Sequence, residues 1–222
     1  MLYSLVASEC GMSIQQRLFP EITKDATWTL VNLATLYAEA TAGKDNKGLL
    51  NKPIVSDLKA QEELLLSIVE QQPTKNYTYG GFGEDRTALW FGTGTAEPAI
   101  HLGIDFNNLP AQLSVRSLTD GRVVHVLRDT DKINGWGGRV IIETVDKRYI
   151  LYGHLDHKHL PSMDTVVRAG DEIGKIGDSS ENGGWFCHLH LQYMSSEFVQ
   201  QLSLIDGYAP SMPPGILDPM TL

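Results

Sequence analysis

Residues 186 to 193 read Phe-Cys-His-Leu-His-Leu-Gln-Tyr. A strand alternates its faces, so His188, His190 and Gln192 fall on one side and Leu189, Leu191 and Tyr193 on the other. Two imidazoles two strand positions apart sit roughly 6–7 Å from each other. That spacing suits a metal ligand beside a catalytic base. It also fits two polar residues on the solvated face of an edge strand, so other residues must decide between the two readings.

A second candidate stretch is His101-Leu-Gly-Ile-Asp105, an imidazole and a carboxylate four residues apart with a glycine between. In a straight strand their Cα atoms would lie roughly 13 Å apart. Two side chains sharing one zinc at about 2 Å each could barely close that gap. A bend near Gly103 is therefore predicted, where glycine tolerates conformations that other residues resist. Tyr152-Gly-His-Leu155 ends an apolar run and puts His154 where a strand gives way to a loop, a position that is rigidly held yet reachable. His157 and His159 follow in that loop as spare ligands. His125, with Val123 and Leu127 on its own strand face, reads as structural. Cys187 should point away from His188 and serve packing.

Two kinds of element must position these residues. Up to about residue 76 the chain reads as a helical N-terminal region. Trp28, Val31, Leu33, Leu36 and Tyr37 recur near a 3.6 period from Asp25 onward, with Gly43 as a closing signal. A second helix opens at Ser56-Asp57, runs through Leu58, Leu64, Leu65, Ile68 and Val69, and stops before Pro73. Residues 77–222 change to glycine punctuation and short β-rich runs at 121–128, 138–145 and 148–155. Asp120-Gly121, Asn134-Gly135 and Asn182-Gly183 supply turn dipeptides. The expected fold class is α+β: a mainly antiparallel sandwich or barrel-like β domain preceded by small helices.

The chain has 222 residues, 42% hydrophobic and 20% charged, with a formal net charge of −9. Such an acidic balance argues against a broad grip on nucleic acid or anionic membrane. No run of about 18 apolar residues suggests a membrane span. Glu9 interrupts the N-terminal apolar stretch, and no Lys or Arg precedes Arg17, so it does not read as a signal peptide. Cys10 and Cys187 have no nearby cysteine partner. The expected compartment is the cytoplasm, with both thiols free.

Four motifs in order, His-x-Gly-x-Asp, Gly-His-Leu, Ala-Gly-Asp-x-Ile-Gly-x-x-Gly and His-Leu-His, resemble the lysostaphin-type, LytM-like zinc metallopeptidases of bacterial cell walls. The resemblance covers roughly residues 79 to 222. A looser one, through Glu84-Asp-Arg-Thr, Glu181-Asn-Gly-Gly-Trp185 and Leu217-Asp-Pro, is similar to such modules fused to class III aminotransferases. Carried over residue by residue, the family pattern implies zinc held by His101, Asp105 and His190, with His154 and His188 as catalytic histidines. Two imidazoles and one carboxylate leave a fourth tetrahedral position for water, the composition of a catalytic site. The activity implied is hydrolysis of a peptide or amide bond, with glycine-containing or peptidoglycan-type peptides as the family's usual substrates. The alternative is a non-catalytic binding or regulatory module of the same fold.

Overall fold

The computed structural model describes residues 12–22, 25–35, 59, 76–90, 99–132, 135–199 and 201–222. In chain order these form the helix α1 Ile14–Leu18, then the strands β1 Thr27–Val31, β2 Asn76–Gly80, β3 Ile100–His101, β4 Ile104–Asn107, β5 Ser114–Arg116, β6 Gly121–Arg128 and β7 Gly138–Thr144. There follow β8 Arg148–Leu155, β9 Val166–Val167, β10 Glu172–Lys175, β11 His188–Ser195, β12 Tyr208–Ala209 and β13 Ile216–Leu217. One large sheet runs in the order β1-β2-β4-β11-β8-β7-β6-β9, with β13 also paired to β11. Two small ladders, β5 with β10 and β3 with β12, stand beside it.

Strands β6, β7 and β8 fall on the β-rich runs read at 121–128, 138–145 and 148–155. Their pairings are antiparallel throughout, while β1 joins β2 in parallel. The central strand is β11. It pairs His190 with Asp105 of β4 on one side and with Gly153 of β8 on the other. This register places three well-separated motifs side by side across neighbouring strands.

The alternation of β11 divides its two faces as predicted. Leu189, Leu191 and Tyr193 join Phe106, Tyr152, Ile142 and Val123 in the main core, where each large apolar side chain contributes roughly 1.5–3 kcal/mol by leaving water. The opposite face carries His188, His190 and Gln192, followed by Met194, which packs with Ile141, Leu151 and Ile205 in a smaller cluster. Half-buried Cys187 packs against the main core.

The N-terminal region departs from its expected helices. Thr27-Trp-Thr-Leu-Val31 is a strand, not the start of a helix. The reason is tertiary. Trp28 stacks on Phe19 and Tyr77 and meets Phe106 edge-on, so its aromatic face is used across a sheet rather than along a helix. Residues 33–35 are helical, and the remainder of that predicted helix lies outside the described residues. So does the predicted helix from Ser56 to Gln72, except Lys59, which is helical. Helix α1 is capped by Ser13 and Gln16 in a reciprocal box and drives fully buried Leu18 and Phe19 into the main core. The boundary expected at 76/77 falls inside β2, after its first residue, and β2 pairs directly with β1. Among the described residues no helix is long and apolar enough to cross a membrane.

Candidate active site

Gly103 is a bend between β3 and β4, as the spacing of His101 and Asp105 requires. A β-carbon there would stand 2.5 Å from His190 Nε2 and 2.6 Å from the Leu191 carbonyl oxygen, so only glycine lets these strands approach. The bend swings His101 toward β11. Its Nε2 comes to 3.0 Å from Nδ1 of His190 and 3.4 Å from Oδ2 of Asp105. Asp105 Oδ1 lies 3.1 Å from the same His190 nitrogen. His101, Asp105 and His190 form a group whose ligand atoms lie within 4.8 Å of one another, an arrangement that could hold a metal ion.

The proton positions of both rings follow from their outer partners. Nδ1 of His101 lies 2.9 Å from the Gly81 carbonyl, which can only accept, so this nitrogen carries the proton. Nε2 of His190 donates in the same way to Gln192 Oε1 at 3.3 Å. The inward atoms, His101 Nε2, His190 Nδ1 and the Asp105 oxygens, are therefore all acceptors. Three lone-pair donors facing one another call for a cation between them. Atoms bound at about 2.0–2.2 Å to one tetrahedral zinc would sit roughly 3.3 Å apart, close to the separations observed.

His154 and His188 stand beside this group, their rings 4.1 Å apart between centroids. His154 adopts φ +61, a left-handed conformation uncommon for a residue with a side chain. Its Nδ1 donates to the Asn182 carbonyl at 3.1 Å, and Nδ1 of His188 donates to the Phe186 carbonyl at 2.8 Å. Both rings keep Nε2 unprotonated. Burial pushes the His154 imidazole well below its ordinary pKa, with His188 and His190 adding to the shift, and burial likewise lowers His188. His101 falls to about 4, through burial and then the charge of Arg86. Burial alone would raise the Asp105 carboxyl, but His101 and Arg86 hold it well below the usual carboxylate range.

All five predicted residues are brought together, and each is at most 9% exposed, which overturns the solvated-edge alternative for the His-x-His pair. The other histidines stay apart. His125 is a strand residue whose Nε2 meets Arg139 at 3.2 Å, and Nδ1 of His159 donates to Asp156 Oδ2 at 2.6 Å. A cavity of about 440 Å³ opens over the site, walled by Leu33, Trp136, Trp185, Phe186 and Tyr208.

Several contributors were given no role from the sequence, although Arg86 and Asn182 stand in the stretches quoted for the looser resemblance. Trp136 stacks over His154 and meets His190 edge-on. Fully buried Asn182 donates to the Phe186 carbonyl and accepts from the Trp185 amide, which fixes the loop whose carbonyls orient His154 and His188. The Asn182-Gly183 dipeptide marked this loop only as a turn. Arg86, 3% exposed, bridges Glu84 at 2.8 Å and Asp105 at 2.7 Å.

Residues 99–201 match the model of peptidase family M23. The resemblance to lysostaphin-type peptidases read from the sequence thus holds over the stretch that contains all five site residues. Among solved structures, the chain is similar to the catalytic domain of lysostaphin from Staphylococcus simulans at 24% identity, covering 55% of this chain and 77% of that one with a TM-score of 0.40. It is similar to lytM from Ruminococcus gnavus at 29% identity, covering 45% of this chain and 41% of that one, TM-score 0.37. It is also similar to a zinc-containing peptidase from Vibrio cholerae at 29% identity, covering 43% of this chain and 26% of that one, TM-score 0.35. The chain therefore spans less than half the length of the latter two. No curated protein matches it.

Proposed function

We propose that this chain, whose residues 99–201 match peptidase family M23, is a zinc-dependent peptidase or amidase. His101, Asp105 and His190 hold the metal; His154 and His188 act on the substrate. The observation that carries the reading is the convergence of three inward-facing acceptor atoms beside two imidazoles with unprotonated Nε2. When bound, zinc supplies Lewis acidity, which can bring the pKa of water from 15.7 to about 7.

The residues of the chain then divide the remaining work. With Nδ1 tied to a carbonyl, each of His154 and His188 presents a lone pair at Nε2, so either can take a proton as general base. Imidazolium charges on two rings whose centroids lie 4.1 Å apart would repel, so the pair accommodates one added proton at a time. The ring that gains it becomes a donor, able to return the proton to a leaving amine or to support a developing oxyanion. Trp136 stacked on His154 excludes water from one side of that ring.

The substrate class in this proposal is a peptide of cell-wall type, including glycine-containing sequences, as lysostaphin-type peptidases commonly use. The cavity walls are mostly apolar and aromatic and suit an extended peptide backbone more than a charged small molecule. The test is incubation of zinc-loaded protein with oligoglycine peptides and with soluble peptidoglycan fragments, products being read by mass spectrometry. New amine and carboxyl termini that disappear on chelation support the proposal. Zinc binding with no cleavage of either substrate points instead to a non-catalytic module.

A further inference from the structure

We propose that Arg86 is a positioning residue that holds Asp105 as a single-oxygen metal ligand, and that Glu84 cancels the charge this arrangement brings to the site. The inference rests on the reading of His101, Asp105 and His190 as ligands. Arg86 and Glu84 both lie outside the stretch that matches the family model.

Arg86 is 3% exposed, and a buried guanidinium must be paired. Its Nη1 donates to Asp105 Oδ2 at 2.7 Å and reaches the Tyr208 hydroxyl at 3.3 Å, while Nε donates to Glu84 Oε2 at 2.8 Å. The second Glu84 oxygen accepts from the Ala34 amide, which ties the pair to the segment that bears Leu33 of the cavity wall. Gly81 leaves the space the guanidinium occupies, since a β-carbon there would stand 2.2 Å from Nη2. The same glycine's carbonyl fixes the His101 proton. One turn thus orients two of the three ligands.

A carboxylate with both oxygens free can chelate a metal through two atoms or swing between them. Arg86 engages Oδ2 and leaves Oδ1, at 3.1 Å from His190 Nδ1, with its lone pairs available. Outer partners of this kind typically change metal affinity 10–100-fold. The charges sharpen the argument. A bare arginine beside a divalent cation would oppose binding, and Glu84 offsets it. Positioning and plain repulsion therefore predict opposite signs when the arginine is removed.

The experiment measures zinc affinity by chelator competition and coordination by the visible absorption of the cobalt(II)-substituted protein, for the full chain and its variants. For Arg86→Met the expected result is zinc binding weakened about 10–100-fold and a cobalt spectrum weakened toward higher coordination number. Arg86→Lys, a point charge without the fork, should recover part of the affinity. Glu84→Gln should weaken zinc binding with the cobalt spectrum kept. On an Asp105→Asn background, Arg86→Met should cost no more than about twofold, because the partner through which it acts is already changed. Unchanged or tighter zinc binding by Arg86→Met with an unaltered cobalt spectrum overturns the proposal. The same fold loss on the Asp105→Asn background also overturns it. If Arg86→Met does not fold, Arg86→Lys decides: wild-type affinity and spectrum in that variant overturn the proposal. Absence of zinc binding by the unsubstituted chain would instead remove the metal reading on which the inference stands.

Discussion

His101 Nε2 and His190 Nδ1 lie 3.0 Å apart although 89 residues separate them, and each ring spends its only proton on an outward acceptor. The close approach is set by three things: the bend at Gly103, the pairing of His190 with Asp105 across β4 and β11, and the two outer acceptors Gly81 and Gln192. Facing lone pairs at this distance are unfavourable unless a cation lies between them. The geometry is one that could hold a metal ion.

His154 and His188 lie outside this ligand set, and their substitution should separate metal binding from catalysis. His154→Ala and His188→Ala are expected to keep zinc while losing activity by about 10²-fold or more. Metal analysis alongside peptide cleavage checks this, and wild-type turnover in either variant would remove that residue from catalysis.

Replacing Gly103 by Ala should disturb the site and the fold together, because the added methyl meets the Leu191 backbone as well as the His190 ring. A cost of about 1–3 kcal/mol is expected from such overpacking, with weaker zinc binding. Denaturant titration and chelator competition measure the two effects. Wild-type values in both would show that the strands can part freely at this point.

The metal-free protein should lose stability as it is acidified. His101 is lowered to about 4, and burial also lowers His125, His154 and His188. A folded pKa below the unfolded value near 6.5 means that the unfolded chain takes up protons first. The contribution is fully present above about pH 6.5 and is lost as pH falls toward 4. Asp105, held low, adds a loss of the same sign at still lower pH. Urea midpoints of chelator-treated protein between pH 7.5 and 4.5 should therefore fall, and a flat or rising midpoint would contradict the assignment.

Leu33 brings the N-terminal region into the cavity wall and is 5% exposed. Leu33→Ala should leave zinc binding unchanged and shift kcat/KM toward peptides with bulkier side chains by about tenfold, the scale of a few methylenes in an apolar pocket. An unchanged preference would place Leu33 outside the substrate path.

Much of this was legible because it is local. The period-2 alternation of Leu189, His190, Leu191 and Gln192 fixed both faces of β11, and the spacing of His101 and Asp105 demanded the bend at Gly103. What stayed hidden is non-local. Trp28, Val31 and Leu33 fit a helical spacing, yet Trp28 finds Phe19, Tyr77 and Phe106 across a sheet, and that tertiary contact outweighs periodicity. Arg86 and Asn182 fall in stretches that carried only the looser resemblance and named no role for either, and Trp136 falls in no quoted motif. Their roles arise only when the turn after β2, the segment before β7 and the 182–186 loop meet Asp105, His154, His188 and His190. Charged Glu84 and Arg86 look like solvated loop residues until the fold buries them together.

The most direct test of the account is the zinc content of the purified full chain and of His101→Ala and His190→Ala, dialysed against zinc and then buffer. The account predicts about one zinc per chain in the unsubstituted protein and a loss of most of it in both variants. Full zinc retention in either variant, or none in the parent, would contradict it.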